Sequence, residues 1–162
     1  MTSNRRWLCT IACSILLSTV GAVEAEPARV TMQCMPWDGQ ALIVRFGSFD
    51  PHRRLVLRLW GKGLAAAQRN ELVNIPRVAI GGFPDPAGVG DAKLCPPVGQ
   101  QGNCSAVSAS IKFATLDMAP GGVVGGVVNG QLSHANATSN EVADARQISF
   151  NAVIDRQIAP CG

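Results

Sequence analysis

Strict alternation of apolar and polar residues in three segments is the feature that most constrains the fold of this chain. The segments are Arg53–Trp60, Val107–Phe113 and Ile148–Asp155. A period of two places successive side chains on opposite faces of an extended chain, which is the pattern of an antiparallel strand with one face in the core. The predicted inward positions are Leu55, Leu57 and Leu59; Val107, Ala109, Ile111 and Phe113; and Ile148, Phe150, Ala152 and Ile154.

Four further segments complete an all-β pattern. Less regular strands are predicted at Arg29–Met35, Ala41–Phe46, Leu72–Ile80 and Gly122–Leu132. Pro76 places the third of these at a sheet edge or a bulge, because proline cannot donate a backbone hydrogen bond. Gly63–Arg69 is the one short helical pattern. The sequence therefore predicts a small antiparallel β-sandwich or barrel of about seven strands.

One long segment shows no periodicity. Gly81–Cys104 has 24 residues, of which ten are glycine or proline. Loops of this length without regular structure are uncommon in compact domains and are often functional. We interpret the segment either as a crossover between sheets or as a recognition element.

The N-terminus has the layout of a secretory signal. Arg5 and Arg6 precede an apolar stretch, Trp7–Val20, and Val23 and Ala25 stand where a signal peptidase reads small residues. We expect residues 1–25 to be cleaved and residues 26–162 to form a single β domain in the periplasm or outside the cell. The mature chain has no apolar run of the about 18 residues that a transmembrane helix requires.

Cleavage would leave cysteines at positions 34, 95, 104 and 161. Disulfides persist in oxidising compartments, and the short segment between Cys95 and Cys104 closes easily, so we predict Cys95–Cys104 and, by elimination, Cys34–Cys161. No Cys-x-x-Cys pair occurs, and both histidines are far in sequence from every cysteine. Zinc ligands are usually closely spaced, so we expect no metal and no other cofactor.

Positive charge is concentrated between Arg45 and Arg77, where seven basic residues meet two acidic ones. If the strands at Ala41–Phe46 and Arg53–Trp60 pair, four side chains share the outer face of the hairpin. These are Arg45, Arg54, Arg58 and Trp60. Guanidinium groups recognise carboxylates and phosphates. This face is therefore a candidate site for an anionic envelope component or an acidic partner, the alternative being an ordinary solvated face. The overall charge of +3 is too small to indicate nucleic-acid binding.

The sequence contains no recognisable catalytic set. His52 follows a turn-forming Asp-Pro, His134 lies in a polar segment, and no Gly-x-Ser-x-Gly elbow occurs. We therefore expect a non-enzymatic binding or structural module. An inhibitor of a secreted hydrolase is one alternative, because a disulfide-closed loop docks with little loss of entropy. Its recognition residues would be Pro96, Pro97, Val98, Gln100 and Gln101. A small hydrolase using either histidine is the other alternative.

Overall fold

A computed structural model describes residues 27–35, 39–50, 53–77, 88–132 and 144–155. These residues form nine strands and one helix. In chain order they are β1 (Ala28–Met35), β2 (Gly39–Asp50), β3 (Arg53–Leu59), α1 (Gly61–Gln68), β4 (Val73–Ile75), β5 (Gly90–Cys95), β6 (Ser105–Ala106), β7 (Ala109–Leu116), β8 (Val123–Leu132) and β9 (Asp144–Val153).

The strands form two antiparallel sheets, consistent with the predicted all-β sandwich. Sheet A has the order β1-β2-β3-β5-β6, and sheet B has the order β4-β7-β8-β9. The sheets meet at one side, where Val30 and Ile154 form a parallel bridge and the Asp155 amide donates to the Val30 carbonyl at 2.9 Å. On the other side, β6 of sheet A leads after two residues into β7 of sheet B.

The core between the sheets contains the residues that alternation predicted, except Ala152, which is half-buried and packs against the core. The three leucines of β3 are 0% exposed, and Phe46, Phe113 and Phe150 bring aromatic rings from both sheets into contact. The ring of Phe150 meets that of Phe46 edge-on at 5.2 Å between centroids. The buried inward positions of β7 and β9 confirm the period-two interpretation. They are Ala109, Ile111, Phe113, Ile148 and Phe150.

Part of the aperiodic segment forms a strand, which corrects the expectation that Gly81–Cys104 lacks regular structure. β5 lies between β3 and β6, and it buries Ala92 and Leu94 while Asp91 and Lys93 face outward. This alternation is only four residues long, and the glycines and prolines around it concealed it. The strand predicted at Leu72–Ile80 corresponds to β4, which ends at Ile75, just before Pro76, and forms an edge of sheet B. Residues 78–80 of the prediction lie outside the described residues.

The start of β5 depends on a glycine. Gly90 has φ of +153° and pairs with Leu59, and a Cβ atom there would overlap the Arg58 carbonyl oxygen. Because glycine has no Cβ, the backbone of β5 approaches β3 closely enough to continue the sheet. This approach places Asp91 directly opposite Arg58.

The predicted short disulfide is confirmed, because Cys95 and Cys104 are joined at an S–S distance of 2.04 Å. Cys34 is also disulfide-bonded. Its predicted partner, Cys161, lies outside the described residues, so the Cys34–Cys161 pairing stays a prediction. The predicted signal at residues 1–25 and both histidines likewise lie outside the described residues. Within the described part of the chain, no helix is both long and apolar enough to cross a membrane.

Candidate functional site

The outer face of sheet A, which points away from the core, contains a cleft of about 800 Å³. This volume falls in the range of sites that hold small-molecule ligands, about 300–1,000 Å³. The cleft crosses β1, β2, β3 and β5 and ends against the disulfide-closed loop. Its lining residues are Gln33, Ile43, Arg45, Arg54, Val56, Arg58, Lys93, Cys95, Asn103 and Cys104.

Strand register brings the three predicted arginines together around one valine. Arg45 of β2 stands opposite Val56 of β3. Arg54 and Arg58 lie two residues before and after Val56, so both are diagonal neighbours of Arg45 on the same face. Diagonal neighbours in antiparallel sheets have Cα atoms about 7–8 Å apart, within reach of long side chains. The three guanidinium groups therefore form a cluster, as the hairpin prediction required.

At one end of the cluster, a carboxylate on β5 partly neutralises the positive charge. The Asp91 carboxylate forms ion pairs with two cations. Arg58 Nε lies 3.1 Å from Asp91 Oδ1, and Lys93 Nζ lies 3.0 Å from Asp91 Oδ2. The side chains of Arg58, Lys93 and Asp91 are 30%, 23% and 18% exposed. Partial burial strengthens these ion pairs relative to pairs in open solvent. The Arg58 contact lacks hydrogen-bond alignment, and Asp91 Oδ1 is buried without a hydrogen bond.

The other end of the cluster is not neutralised in this way. Arg45 Nη1 donates to the Thr31 hydroxyl oxygen at 2.8 Å, a neutral partner. Arg54 Nε is buried and has no hydrogen-bond partner. A buried donor without a partner loses its hydration and gains nothing in return, which costs about 1–3 kcal/mol. The Arg45–Arg54 end is thus the part of the cleft with unused hydrogen-bonding capacity.

Burial and neighbouring positive charges both act on the Arg45 guanidinium group. Burial lowers the pKa of Arg45 below its usual value, and the neighbouring charges of Arg54 and Arg58 lower this pKa further. Asp155 acts in the opposite direction. The arginine stays protonated at physiological pH, because a guanidinium group is not deprotonated in proteins. The repulsion from Arg54 and Arg58 means that an additional positive charge would be unfavourable beside Arg45, whereas a negative charge would be attracted.

Trp60 does not belong to the cleft, which corrects the sequence prediction. β3 ends at Leu59, and Trp60 stands at the N-cap position of α1 with only 5% of its surface exposed. The chain turns into the helix at this residue, so the alternation of β3 no longer determines where its ring points. The apolar part of the cleft comes instead from Ile43, Val56 and the Cys95–Cys104 disulfide.

The disulfide-closed loop borders the cleft and also projects from it. Asn103 and Cys104 line the cleft, whereas Val98 is 85% exposed next to a turn in which the Gln100 amide donates to the Pro97 carbonyl at 3.1 Å. The predicted recognition residues thus lie together on one loop. Pro96 and Pro97 are half-buried, and Val98, Gln100 and Gln101 are exposed.

Sequence reasoning missed the contribution of β5 to the site. Lys93 lines the cleft, and Asp91 pairs with Arg58 beside it, only because β5 pairs with β3. The two strands are separated in the chain by the helix and by β4. The signal that could have found these two residues is the alternation Asp91-Ala-Lys93-Leu before Cys95.

In the described ranges, no group of three or more His, Cys, Asp or Glu side chains could hold a metal ion. Comparison with protein-family models, with characterised proteins and with solved structures finds no significant match.

Proposed function

We propose that this protein is an exported, non-enzymatic binding module of the bacterial envelope or extracellular medium, whose cleft on sheet A holds an anionic ligand or an acidic partner. The observation that carries the proposal is the partner-less Arg54 Nε, buried in a cluster with Arg45 and Arg58. Bringing cations together and partly out of water is unfavourable unless anions compensate. A bound anion would supply that compensation and the missing hydrogen-bond acceptor.

Export is supported by the layout of residues 1–25 and is compatible with the Cys95–Cys104 disulfide. Disulfides form and persist where the surroundings are oxidising, as in the periplasm or the extracellular medium. N-terminal sequencing of the protein recovered from the periplasm or medium tests this part of the proposal. A mature N-terminus at Glu26 is expected, and an uncleaved chain retained in the cytoplasm would contradict it.

Anion binding can be tested by titration followed with ¹H–¹⁵N NMR, which detects the arginine Nε–H groups directly. Inorganic phosphate, an acidic glycan and anionic lipid vesicles serve as probes. At least one probe should shift the Arg54 signal, and added salt should weaken its binding, because salt screens exposed charges. The combined change Arg45→Gln, Arg54→Gln and Arg58→Gln should abolish binding and leave the Tm within a few degrees.

A matched control removes the same charge elsewhere. Lys62, Arg69 and Arg77 are exposed and do not line the cleft, so their joint change to Gln should leave binding intact. Equal loss of binding in both triple variants would reduce the effect to overall charge. Unchanged binding in the cleft variant would contradict the proposal.

Changing both His52 and His134 to Gln should not affect binding, whereas a hydrolase that depends on either histidine would lose its activity.

The exposed Val98 favours a second candidate function, inhibition of a secreted hydrolase by the disulfide-closed loop. Its 85% exposure and the adjacent prolines present an apolar side chain on a constrained loop. Such preorganisation reduces the entropy lost on docking. Replacing residues 96–103 with a short Gly-Ser link between the two cysteines should abolish inhibition of the target hydrolase and leave anion binding to the arginines measurable. Inhibition by the shortened protein would contradict this candidate.

A further inference from the structure

Arg45 and Arg54 are diagonal neighbours on β2 and β3, two strands about 5 Å apart in the direction across the sheet, whereas Arg58 lies about 13 Å from Arg54 along β3. The two cations at the Arg45–Arg54 end therefore converge on one area of the cleft, and the three arginines do not form a row along one strand. A linear polyanion is matched best by cations spaced along a groove, whereas a compact group with several oxygens is matched by converging donors. The arrangement therefore favours one compact anionic group over an extended chain of charges.

The number of charges points to an anion with more than one negative charge. Four cations, Arg45, Arg54, Arg58 and Lys93, line the cleft. Asp91 pairs with two of them, and Asp155 is near enough to Arg45 to raise its pKa. With both carboxylates counted, two positive charges remain in the cleft. A single carboxylate or a sulfate ester would neutralise only one of them.

Apolar groups lie beside the cluster. The lining includes Ile43, Val56 and the sulfur atoms of Cys95 and Cys104. The cleft of about 800 Å³ is much larger than an inorganic anion, which occupies only a few water volumes of about 30 Å³ each. The space and its lining suit a ligand with an organic body attached to the anionic group.

We propose that the ligand is an organic phosphate monoester, with its phosphate at the Arg45–Arg54 end of the cleft and its body along Val56 and the Cys95–Cys104 disulfide. This inference rests on the proposed function and narrows it to one chemical class. A phosphate monoester carries close to two negative charges above its second pKa of about 6 and presents three acceptor oxygens. Planar guanidinium groups bind two such oxygens at once, and the unpaired Arg54 Nε supplies one of these donors.

Four soluble probes test the class by isothermal titration calorimetry with the full oxidised chain at pH about 8, where the monoester is a dianion. Hexyl phosphate and hexyl sulfate share their shape and differ by one charge, hexanoate is a planar monoanion, and inorganic phosphate lacks the organic body. Hexyl phosphate should bind at least about tenfold more tightly than each of the others, because only it satisfies both the charge and the apolar lining. Arg54→Gln should remove this preference, and Lys62→Gln should retain it.

The possible results separate this inference from the proposed function. Equal affinity for hexyl phosphate and hexyl sulfate, or tighter binding of an acidic glycan, would overturn the phosphate monoester and leave an anion site. If no anion binds the wild-type chain, or if the triple arginine variant binds as well as wild type, both proposals fall. Equal affinity for hexyl phosphate and inorganic phosphate would overturn the part concerning the organic body.

The source of the monoester is assigned by sedimentation with lipid vesicles. Phosphatidic acid has a monoester headgroup, and phosphatidylglycerol has a diester with one negative charge. Retention on phosphatidic acid vesicles that hexyl phosphate reverses would support the class and assign a lipid headgroup. Binding of hexyl phosphate without retention on either vesicle would support the class and assign a soluble phosphate. Equal retention on both vesicles, insensitive to Arg54→Gln, would contradict a specific site.

Discussion

The two sheets have similar inner faces and different outer faces. Both inner faces are apolar and buried against each other. The outer face of sheet A contains half-buried Arg45, Arg54, Arg58, Asp91 and Lys93. On the outer face of sheet B, β8 and β9 pair Val123 with Val153, Gly125 with Asn151, Val127 with Ser149 and Asn129 with Gln147.

In the described strands, the charged side chain near the middle of the outer face of sheet B is that of Lys112, which is exposed. A sandwich requires that one face of each sheet be apolar and buried, and it places few requirements on the residues of the outer face. The weakly charged face of sheet B shows that the fold does not require a charged outer surface. The sandwich fold by itself therefore does not account for the arginine cluster of sheet A, which is consistent with the proposed binding role.

The largest expected effect concerns the shared core, where the two sheets are equivalent. Phe150→Ala removes a ring that contacts both Phe46 of sheet A and Phe113 of sheet B. Such a change in a core typically lowers the free energy of unfolding by about 3–5 kcal/mol. Val153→Ala, at 57% exposed on the same strand, is the control and should change it by less than about 0.5 kcal/mol. Urea denaturation measures both, and a small effect of Phe150→Ala would show that the sheets do not share a core.

The next largest effect is expected from removal of the Cys95–Cys104 disulfide, which lies at the end of β5 in sheet A. Changing Cys95 and Cys104 together to Ser opens a ten-residue loop, which should lower the free energy of unfolding by about 2.5–3 kcal/mol through chain entropy. Cys104 and Asn103 also line the cleft, so anion affinity should fall in the same variant. Denaturation and calorimetry together check this. Full affinity in the double variant would show that the loop does not shape the cleft.

In sheet B, a comparable constraint comes from a glycine on the inner face. Gly126 stands between Phe113 and Phe150 in register, and a Cβ atom there would overlap the Lys112 carbonyl oxygen. We expect Gly126→Ala to lower the free energy of unfolding by about 1–3 kcal/mol, the usual effect of overpacking a core. Gly47→Ala is the control, because nothing lies near the Cβ position of Gly47 and its φ is not positive. Gly121 also has open space around it, but its φ of +82° would strain an alanine. Equal stability of Gly126→Ala and wild type in urea would refute the close packing of β7 on β8.

The smallest expected effects on stability come from removing one positive charge on each outer face, which compares the two faces directly. Arg54→Gln removes a partly buried cation that repels Arg45, and it should leave the free energy of unfolding unchanged or raise it by about 0.5–1 kcal/mol. Lys112→Gln on sheet B should change it by less than about 0.5 kcal/mol. Only Arg54→Gln should also lose anion binding. A marked loss of stability in Arg54→Gln would indicate that the arginine cluster serves the fold, and the contrast between the faces would lose its functional meaning.

Alternation predicted strands that belong to both sheets, because burial on one face of a strand produces a period of two in the local sequence. Leu55, Leu57 and Leu59 are all buried as expected, and so are Ile148 and Phe150. The same reasoning placed Arg45, Arg54 and Arg58 on one outer face. It failed at Trp60, where the chain leaves the strand for a helix, and at β5, whose pattern is too short to stand out among glycines and prolines.

The sequence by itself determined the fold class, the inward residues, the short disulfide and the concentration of arginines on one hairpin. These features depend on side-chain periodicity or on residues close in the chain. Only the tertiary structure decided that β5 pairs with β3, and hence that Asp91 forms ion pairs with Arg58 and Lys93 at one end of the cluster, while Arg54 Nε lies buried without a hydrogen-bond partner at the other. The physical reason is that a charge's partners and its exposure depend on long-range strand pairing, which no local pattern specifies.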